Sequence, residues 1–346
     1  MRLRISKAAF SHIHVVRQIA EWAHRRTPAQ ARRGRTHQIV RSEELEARRM
    51  LAVTAGIVGS QLVVTCTDNG DYIEVYQDSS NSSVTVFANS SSVSGSPFAV
   101  SGFSSIKVNG GASQDIVLFG SSDPVVGTGS AYGANFDTIV SKPAEVHGQG
   151  GADIVYGTDQ ADTLEGETGS DTINGGAGND TVHGDDDGDE LNGQTGNDAL
   201  FGGDGADTLH GNFGTDLMYG EAGNDNLFGD EGNDTMWGDD GAGAVTGADN
   251  LSGGDGDDNI TGGYGNDTLN GNDGNDTMFG DYTPSGSTGG DDSMIGGAGA
   301  DSMYGGAGND VVDGSTGDAS ADYLDGGLGS SDSSFSNTGD TLVNFP

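Results

Sequence analysis

The sequence predicts an all-β fold, a parallel β-roll or β-solenoid in which one short strand recurs with each repeat. Three observations predict it. A nine-residue unit recurs eighteen times between Gly148 and Asp325. The sixth residue of every unit is Asp, and the eighth is always Val, Leu, Ile or Met. Glycine, 62 of 346 residues, falls in phase with that unit. A flexible linker has no reason to hold such a phase, whereas a stack of repeated turns requires it.

Charge divides the chain before the repeat begins. The formal net charge is −39, yet residues 1–50 hold twelve of the fourteen Lys and Arg against four acids. The remaining chain sets Lys107 and Lys142 against 49 acids. A body so acidic repels nucleic acid and anionic membranes and attracts cations. No run of eighteen apolar residues exists, so no transmembrane helix is expected. Cys66 is the only cysteine, which excludes an internal disulfide.

Four regions follow from these shifts: a basic export or targeting region over 1–51, a β-rich segment over 52–147, the repeats over 148–332, and a tail over 333–346. Ser6 to Arg26 reads as one helix, with Val15, Ile19 and Trp22 on a common stripe and Pro28 beyond its end. Arg25 to Arg49 is too charged to pack and reads as a solvated linker. Leu45-Glu46-Ala47-Arg48-Arg49-Met50-Leu51 resembles the L-E-P-R-x-L-L segment of planctomycete exported and surface proteins, with Ala47 in place of Pro and Met50 in place of Leu. Arg48-Arg49 ahead of the first apolar run, Met50 to Gly59, is also similar to a twin-arginine signal. Both resemblances imply a secreted or cell-surface protein.

From Ala52 to His147 the composition turns to Val, Ile, Thr, Ser and Phe. Gln61–Thr67, Tyr72–Gln77, Ser83–Ala88, Ser105–Val108 and Asp115–Phe119 read as strands, and Asp68-Asn69-Gly70-Asp71 as a hairpin turn. Ile106 to Gly111 followed by Asp115-Ile116-Val117 is a degenerate copy of the repeat, so this segment is expected to cap or begin the same solenoid.

In its cleanest form the unit is Gly175-Gly176-Ala177-Gly178-Asn179-Asp180-Thr181-Val182-His183. Glycines at positions one, two and four are expected to permit positive φ and a tight turn. The turn brings carbonyl oxygens inward, and the Asp at position six adds a carboxylate. A hard cation such as Ca2+ takes six to eight oxygen ligands of this kind. Position eight is the inward residue of a short strand, with seven and nine facing out.

The G-G-x-G-x-D-x-apolar-x pattern resembles the hemolysin-type RTX calcium-binding repeat. That resemblance implies a right-handed β-roll in which two nonapeptides make one eighteen-residue turn. Asp153, Asp171, Asp189, Asp207 and Asp225 then line one edge, and Asp162, Asp180, Asp198, Asp216 and Asp234 the other. Insertions follow Gly238, Gly280 and Gly314, and the phase resumes at Asp249, Asp292 and Asp322. Asp258, Asp267, Asp276, Asp301 and Asp310 complete the expected Ca2+ ligands. Two turns depart from the pattern. Gly157-Thr158-Asp159-Gln160 lacks two glycines, and Gly184-Asp185-Asp186-Asp187-Gly188 displaces one.

One inward apolar side chain per nine residues contributes about 2 kcal/mol, too sparse a core to order an acidic chain without the metal. The expected function is therefore calcium binding with calcium-gated folding. Enzymes that carry RTX tails include zinc proteases, lipases and sugar epimerases. The chain has no H-E-x-x-H and no G-x-S-x-G, so it is expected not to be an enzyme. A non-catalytic module related to sugar-epimerase tails is one alternative. Another starts from His183, Phe201, Tyr219 and Trp237, which stand eighteen residues apart at position nine. They form an outward ladder that stacks across turns or serves as an adhesive strip for a polysaccharide or surface protein. His147, His183 and His210 read as outer-face residues.

Overall fold

A branched or unbranched apolar side chain between two polar neighbours makes a strand buried on one face, and the repeat supplies one in every unit. In the computed structural model Val155, Leu164, Ile173, Val182, Leu191, Leu200, Leu209, Met218, Leu227 and Met236 are fully buried. Their neighbours at positions seven and nine are half-buried, as in Thr235–Trp237. The structure describes residues 53–66, 70–77, 83–88, 91–92, 98–121, 140–239, 247–282, 289–317, 320–337 and 339–345. The Ser6–Arg26 helix, the basic linker and the Leu45–Leu51 segment lie outside them.

Successive units alternate between two sheets. Leu164 pairs in parallel with Val182, which pairs with Leu200, in a sheet A of fourteen strands among the described residues. Val155 pairs with Ile173, and Ile173 with Leu191, in a sheet B of fifteen strands among the described residues. One eighteen-residue turn therefore contributes one strand to each sheet. The buried residues of both sheets form a single apolar core from Leu62 to Leu324.

The leading segment belongs to the same roll. Ser105–Asn109 joins sheet A beside Ala144–Gly150, and Ile116–Ser121 joins sheet B beside Ile154–Tyr156. Antiparallel pairing is confined to the first strands. Thr54–Val58 folds back on Gln61–Thr65, and Tyr72–Gln77 on Ser83–Ala88. Two expectations are corrected here. The strands on either side of Asp68 to Asp71 do not pair, Gln61–Thr65 lying in sheet A and Tyr72–Gln77 in sheet B, and residues 67–69 lie outside the described residues. The tight reversal falls earlier, at Gly59, whose φ is 61°. The roll also runs on through the residues read as a tail. Ser333–Phe335 extends sheet B and Thr341–Val343 extends sheet A.

Glycine has a different role at each position of the turn. Position four is left-handed, as at Gly178 (φ 134°) and Gly196 (φ 137°). Position two is left-handed as well, but Glu167, Gln194, Asn212 and Asp230 adopt it with φ between 71° and 78°. Polar side chains tolerate that region at modest cost, so glycine is optional there. Position one is not left-handed at all. A Cβ at Gly148 would lie 2.5 Å from Asp153 Oδ2 and 2.6 Å from the carbonyl oxygen of Gly166, one turn on. Close approach, not positive φ, excludes side chains from position one.

Candidate metal centre

The position-six aspartates stand in two files at the two edges of the roll. Within each file the backbone N–H of one Asp donates to Oδ1 of the Asp one turn ahead. Asp153 donates to Asp171 at 2.6 Å, Asp171 to Asp189 at 2.7 Å, Asp189 to Asp207 at 2.7 Å and Asp207 to Asp225 at 2.8 Å. The second file runs from Asp162 through Asp180, Asp198 and Asp216 to Asp234 with the same contact. Both edges thus have the membership expected from an eighteen-residue turn. The files continue across all three insertions. Asp225 donates to Asp249, Asp267 to Asp292 and Asp301 to Asp322, and Asp258, Asp276 and Asp310 take their places between them.

The other oxygen is the informative one. Oδ2 is buried and has no hydrogen-bond donor in Asp153, Asp171, Asp180, Asp189, Asp198, Asp207, Asp216, Asp225, Asp234, Asp249, Asp258, Asp267, Asp276, Asp292 and Asp310. A buried carboxylate oxygen without a partner is costly, and such groups are otherwise paired or bound to metal. Each of these oxygens lies against the position-one glycine of its own unit, often with the carbonyl oxygen of the next turn beside it. At Gly202, for example, a Cβ would meet Asp207 Oδ2 at 2.5 Å and the Gly220 oxygen at 2.6 Å. The side chain that glycine omits leaves a cradle lined by carboxylate and carbonyl oxygens. That donor set suits Ca2+, a hard cation that accepts both.

Without a cation the cradle disfavours charge. Burial pushes the carboxyls of Asp180, Asp189 and Asp225 up to about 8 and that of Asp292 to about 9, with neighbouring aspartates adding to the effect. The ladder N–H bonds offset only part of this.

Two aspartates are set apart. Asp162, expected among the ligands, has both oxygens satisfied: Thr158 donates its N–H to Oδ2 at 2.5 Å and its hydroxyl to Oδ1 at 2.9 Å, and the Ala144 N–H also reaches Oδ1. Thr158, at position two of its unit, supplies the donors that the other turns lack. Asp115 is closed in the same manner, its Oδ2 accepting from the Gly111 N–H at 2.8 Å and its Oδ1 from Asp71. By contrast the irregular Gly184 turn keeps its open oxygen on Asp189.

Sequence reasoning missed four members of the files. Asp71 and Asp115 head one file, Asp115 donating to Asp153. Asp332 accepts from Asp310, and Asp340 from Asp322. The degenerate Ile106–Val117 copy was the signal for Asp115. Asp332 sits one residue out of phase, six rather than five after Gly326, which hid it.

On the outer face of sheet A the rings of His183, Phe201, Tyr219 and Trp237 stack at centroid distances of 4.5, 5.4 and 4.6 Å and within 7° of parallel. The inside–outside assignment thus holds. Since each ring covers the face of the next, mainly ring edges point to solvent, whereas a sugar stacks on faces. His210 and Phe228 stack likewise on sheet B at 4.6 Å. His147 joins an ion-pair network: its Nε2 lies 2.8 Å from Lys107 Nζ, and its Nδ1 meets Glu165 and, at 3.6 Å, Glu167. The same Nε2 lies 3.1 Å from Glu145 Oε1. Lys107 and His147 together hold the Glu145 carboxyl down at about 2.

Comparison with known families agrees with this geometry. The model of the RTX calcium-binding nonapeptide repeat matches residues 147–182, 183–218, 210–245, 244–278 and 287–319. No curated protein matches the chain. Residues 147–278 and 287–319 therefore carry RTX calcium-binding nonapeptide repeats, and the ion those repeats bind is Ca2+.

Proposed function

We propose that the chain is a secreted or cell-surface calcium-binding β-roll, without catalytic activity of its own, whose repeats fold when they bind Ca2+. The observation that carries this reading is the double file of buried Oδ2 atoms without donors, each beside a position-one glycine. Asp153, Asp171, Asp189, Asp207, Asp225, Asp249, Asp267, Asp292 and Asp310 supply the carboxylates of one edge. Asp180, Asp198, Asp216, Asp234, Asp258, Asp276, Asp301 and Asp322 supply those of the other. Asp162 is left out, because Thr158 already closes its turn. Bound Ca2+ supplies positive charge to oxygens that otherwise have none and draws adjacent turns together. The protein's own contribution is to hold those oxygens one strand spacing apart through the N–H to Oδ1 ladder. Binding free energy thereby becomes folding free energy.

Four regions follow in this reading: a basic targeting region over 1–51, a leading β segment that starts the stack, the calcium-binding repeats, and closing strands beyond 332. Circular dichroism and small-angle scattering with chelator, Ca2+ or Mg2+ test the proposal. Ca2+ should raise the β signal and compact the chain. Mg2+ should do so poorly, since it demands tighter octahedral geometry and gives up water reluctantly. A full β spectrum and unchanged melting in chelator would refute calcium gating.

A further inference from the structure

Both long insertions open on the same dipeptide, Gly238-Asp239 and Gly280-Asp281. In an uninterrupted turn the second residue is left-handed and its side chain points to solvent, as Asp230 does with φ 73°. Asp281 does the opposite. It ends the strand Thr277–Asp281 opposite Gly263 and is only 3% exposed. The next residue explains the reversal. Tyr282 packs its ring on Tyr264 at 5.2 Å and donates its hydroxyl to the backbone oxygen of Asp239, so it is held outward while Asp281 turns in.

Inside, Asp281 Oδ2 accepts the Ala307 N–H at 2.5 Å, and the Gly290 N–H also bonds the carboxylate. Asp281 Oδ1 is buried and has no donor. The same turn already holds Asp292, whose Oδ2 also lacks a donor and lies against Gly280. Asp281 lies within the stack itself: a Cβ at Gly306, the position-two residue one turn on, would lie 2.4 Å from Asp281 Oδ2. An additional buried carboxylate oxygen in a turn that already has one finds no proton donor from the protein. A divalent cation is the group that satisfies both.

We propose that the turn opened by Gly280 is a Ca2+ site with one carboxylate more than the regular turns, Asp281 Oδ1 joining Asp292 Oδ2, and that it binds tighter than they do. Ligand charge count is a principal means by which oxygen sites set calcium affinity. The inference rests on the calcium reading of the array and adds a ligand outside the nonapeptide pattern.

Competition with a chromophoric calcium chelator, using the full chain, tests it. Wild type should show a tighter class of sites, about tenfold above the remainder. Asp281→Asn should remove one ion from that class, because the amide keeps an oxygen for the Ala307 N–H but loses the charge. Asp230→Asn, the outward control, should leave the class intact. A tight class unchanged in Asp281→Asn, or a single uniform class in wild type, overturns the proposal. Absence of any calcium binding by wild type would instead overturn the reading of the whole array. Hydrogen exchange on the wild-type protein gives a check that needs no variant. At limiting Ca2+ the amides of Gly290 and Ala307 should be protected before those of regular turns such as Gly196 and Gly214, and the reverse order overturns the proposal.

Discussion

The backbone N–H of Asp198 donates to Oδ1 of Asp216 at 2.7 Å, across one full turn of the roll, while Asp216 Oδ2 has no donor. One carboxylate thus serves two purposes: one oxygen fixes the stacking register, and the other is left for the cation. Mutating such a residue removes both.

Asp198→Ala should therefore raise the calcium concentration at half-folding, on the order of tenfold, the scale that changes around metal ligands reach. Neighbouring turns should loosen with it, because each repeat is supported by the next. Asp162→Asn and Asp159→Ala should shift the midpoint far less. The first residue is already satisfied by Thr158, and the second is exposed. Equal shifts for all three, read by circular dichroism during calcium titration, would contradict the assignment of ligands.

Acidity should substitute in part for the ion. The folded carboxyls of Asp180, Asp189 and Asp225 sit near 8, above the ordinary carboxylate value, so the folded chain binds protons that the unfolded chain releases. Stability in chelator should then fall as pH rises from about 5 to 8, through the interval between the two values. Protons and calcium favour the same folded state, so the calcium concentration at half-folding should rise over the same interval. Urea denaturation in chelator at pH 5, 6.5 and 8 measures the first trend. Stability that climbs with pH in chelator would show the aspartates to be charged without metal.

A leading core should persist when calcium is removed. Each file has a closed carboxylate near its start, Asp115 just after Asp71 in one and Asp162 in the other. The strands ahead of them bury Leu62, Val64, Ile73, Val75, Ile106 and Val108 far more densely than the repeats bury theirs. Hydrogen exchange in chelator should find protection concentrated between residues 54 and 121 and lost beyond Asp171. Uniform loss over both regions would sink this division.

Position-one glycine should be strict where position two is permissive. Gly211→Ala sets a Cβ within 2.9 Å of the Gly229 oxygen and closer still to Asp216 Oδ2, and should cost about 1–3 kcal/mol even in excess calcium. Asn212→Gly, at a residue already left-handed with φ 73°, should change stability by less than about 1 kcal/mol. Urea midpoints compare the two.

The outward ladder should contribute stiffness and little else. Replacing Tyr219 and Trp237 together by Ser removes two stacked contacts, worth about 0.5–1.5 kcal/mol each. Calcium-induced folding should survive, since Met218 and Met236 remain as the inward side chains. Loss of folding in the double variant would give the rings a larger part than stacking.

Much of this was legible because the repeat keeps its phase. Val182 and Asp180 declare their places by recurring every nine residues, and the eighteen-residue turn that the RTX resemblance implies assigns both edges. What the phase does not encode was missed. Asp332 slipped because one added residue moves it out of step. The pairing of Gln61–Thr65 with Ser105–Asn109 joins residues 44 apart, across irregular sequence, and leaves no local mark. The reason for glycine at position one was misjudged because the obstacle, the Gly166 oxygen facing Gly148, comes from another turn. Asp281 was unreadable as an inward residue, since its orientation depends on Tyr282 reaching Asp239.

The spacing of the N–H to Oδ1 contacts has one more consequence. Partners are 18 residues apart from Asp207 to Asp225, 24 from Asp225 to Asp249 and 25 from Asp267 to Asp292, yet the contact is the same, 2.8 to 2.9 Å. The ladder counts turns and ignores how much chain each contains. The chain between Gly238 and Asp249, and between Asp281 and Asp292, can thus change in length without disturbing the strands on either side.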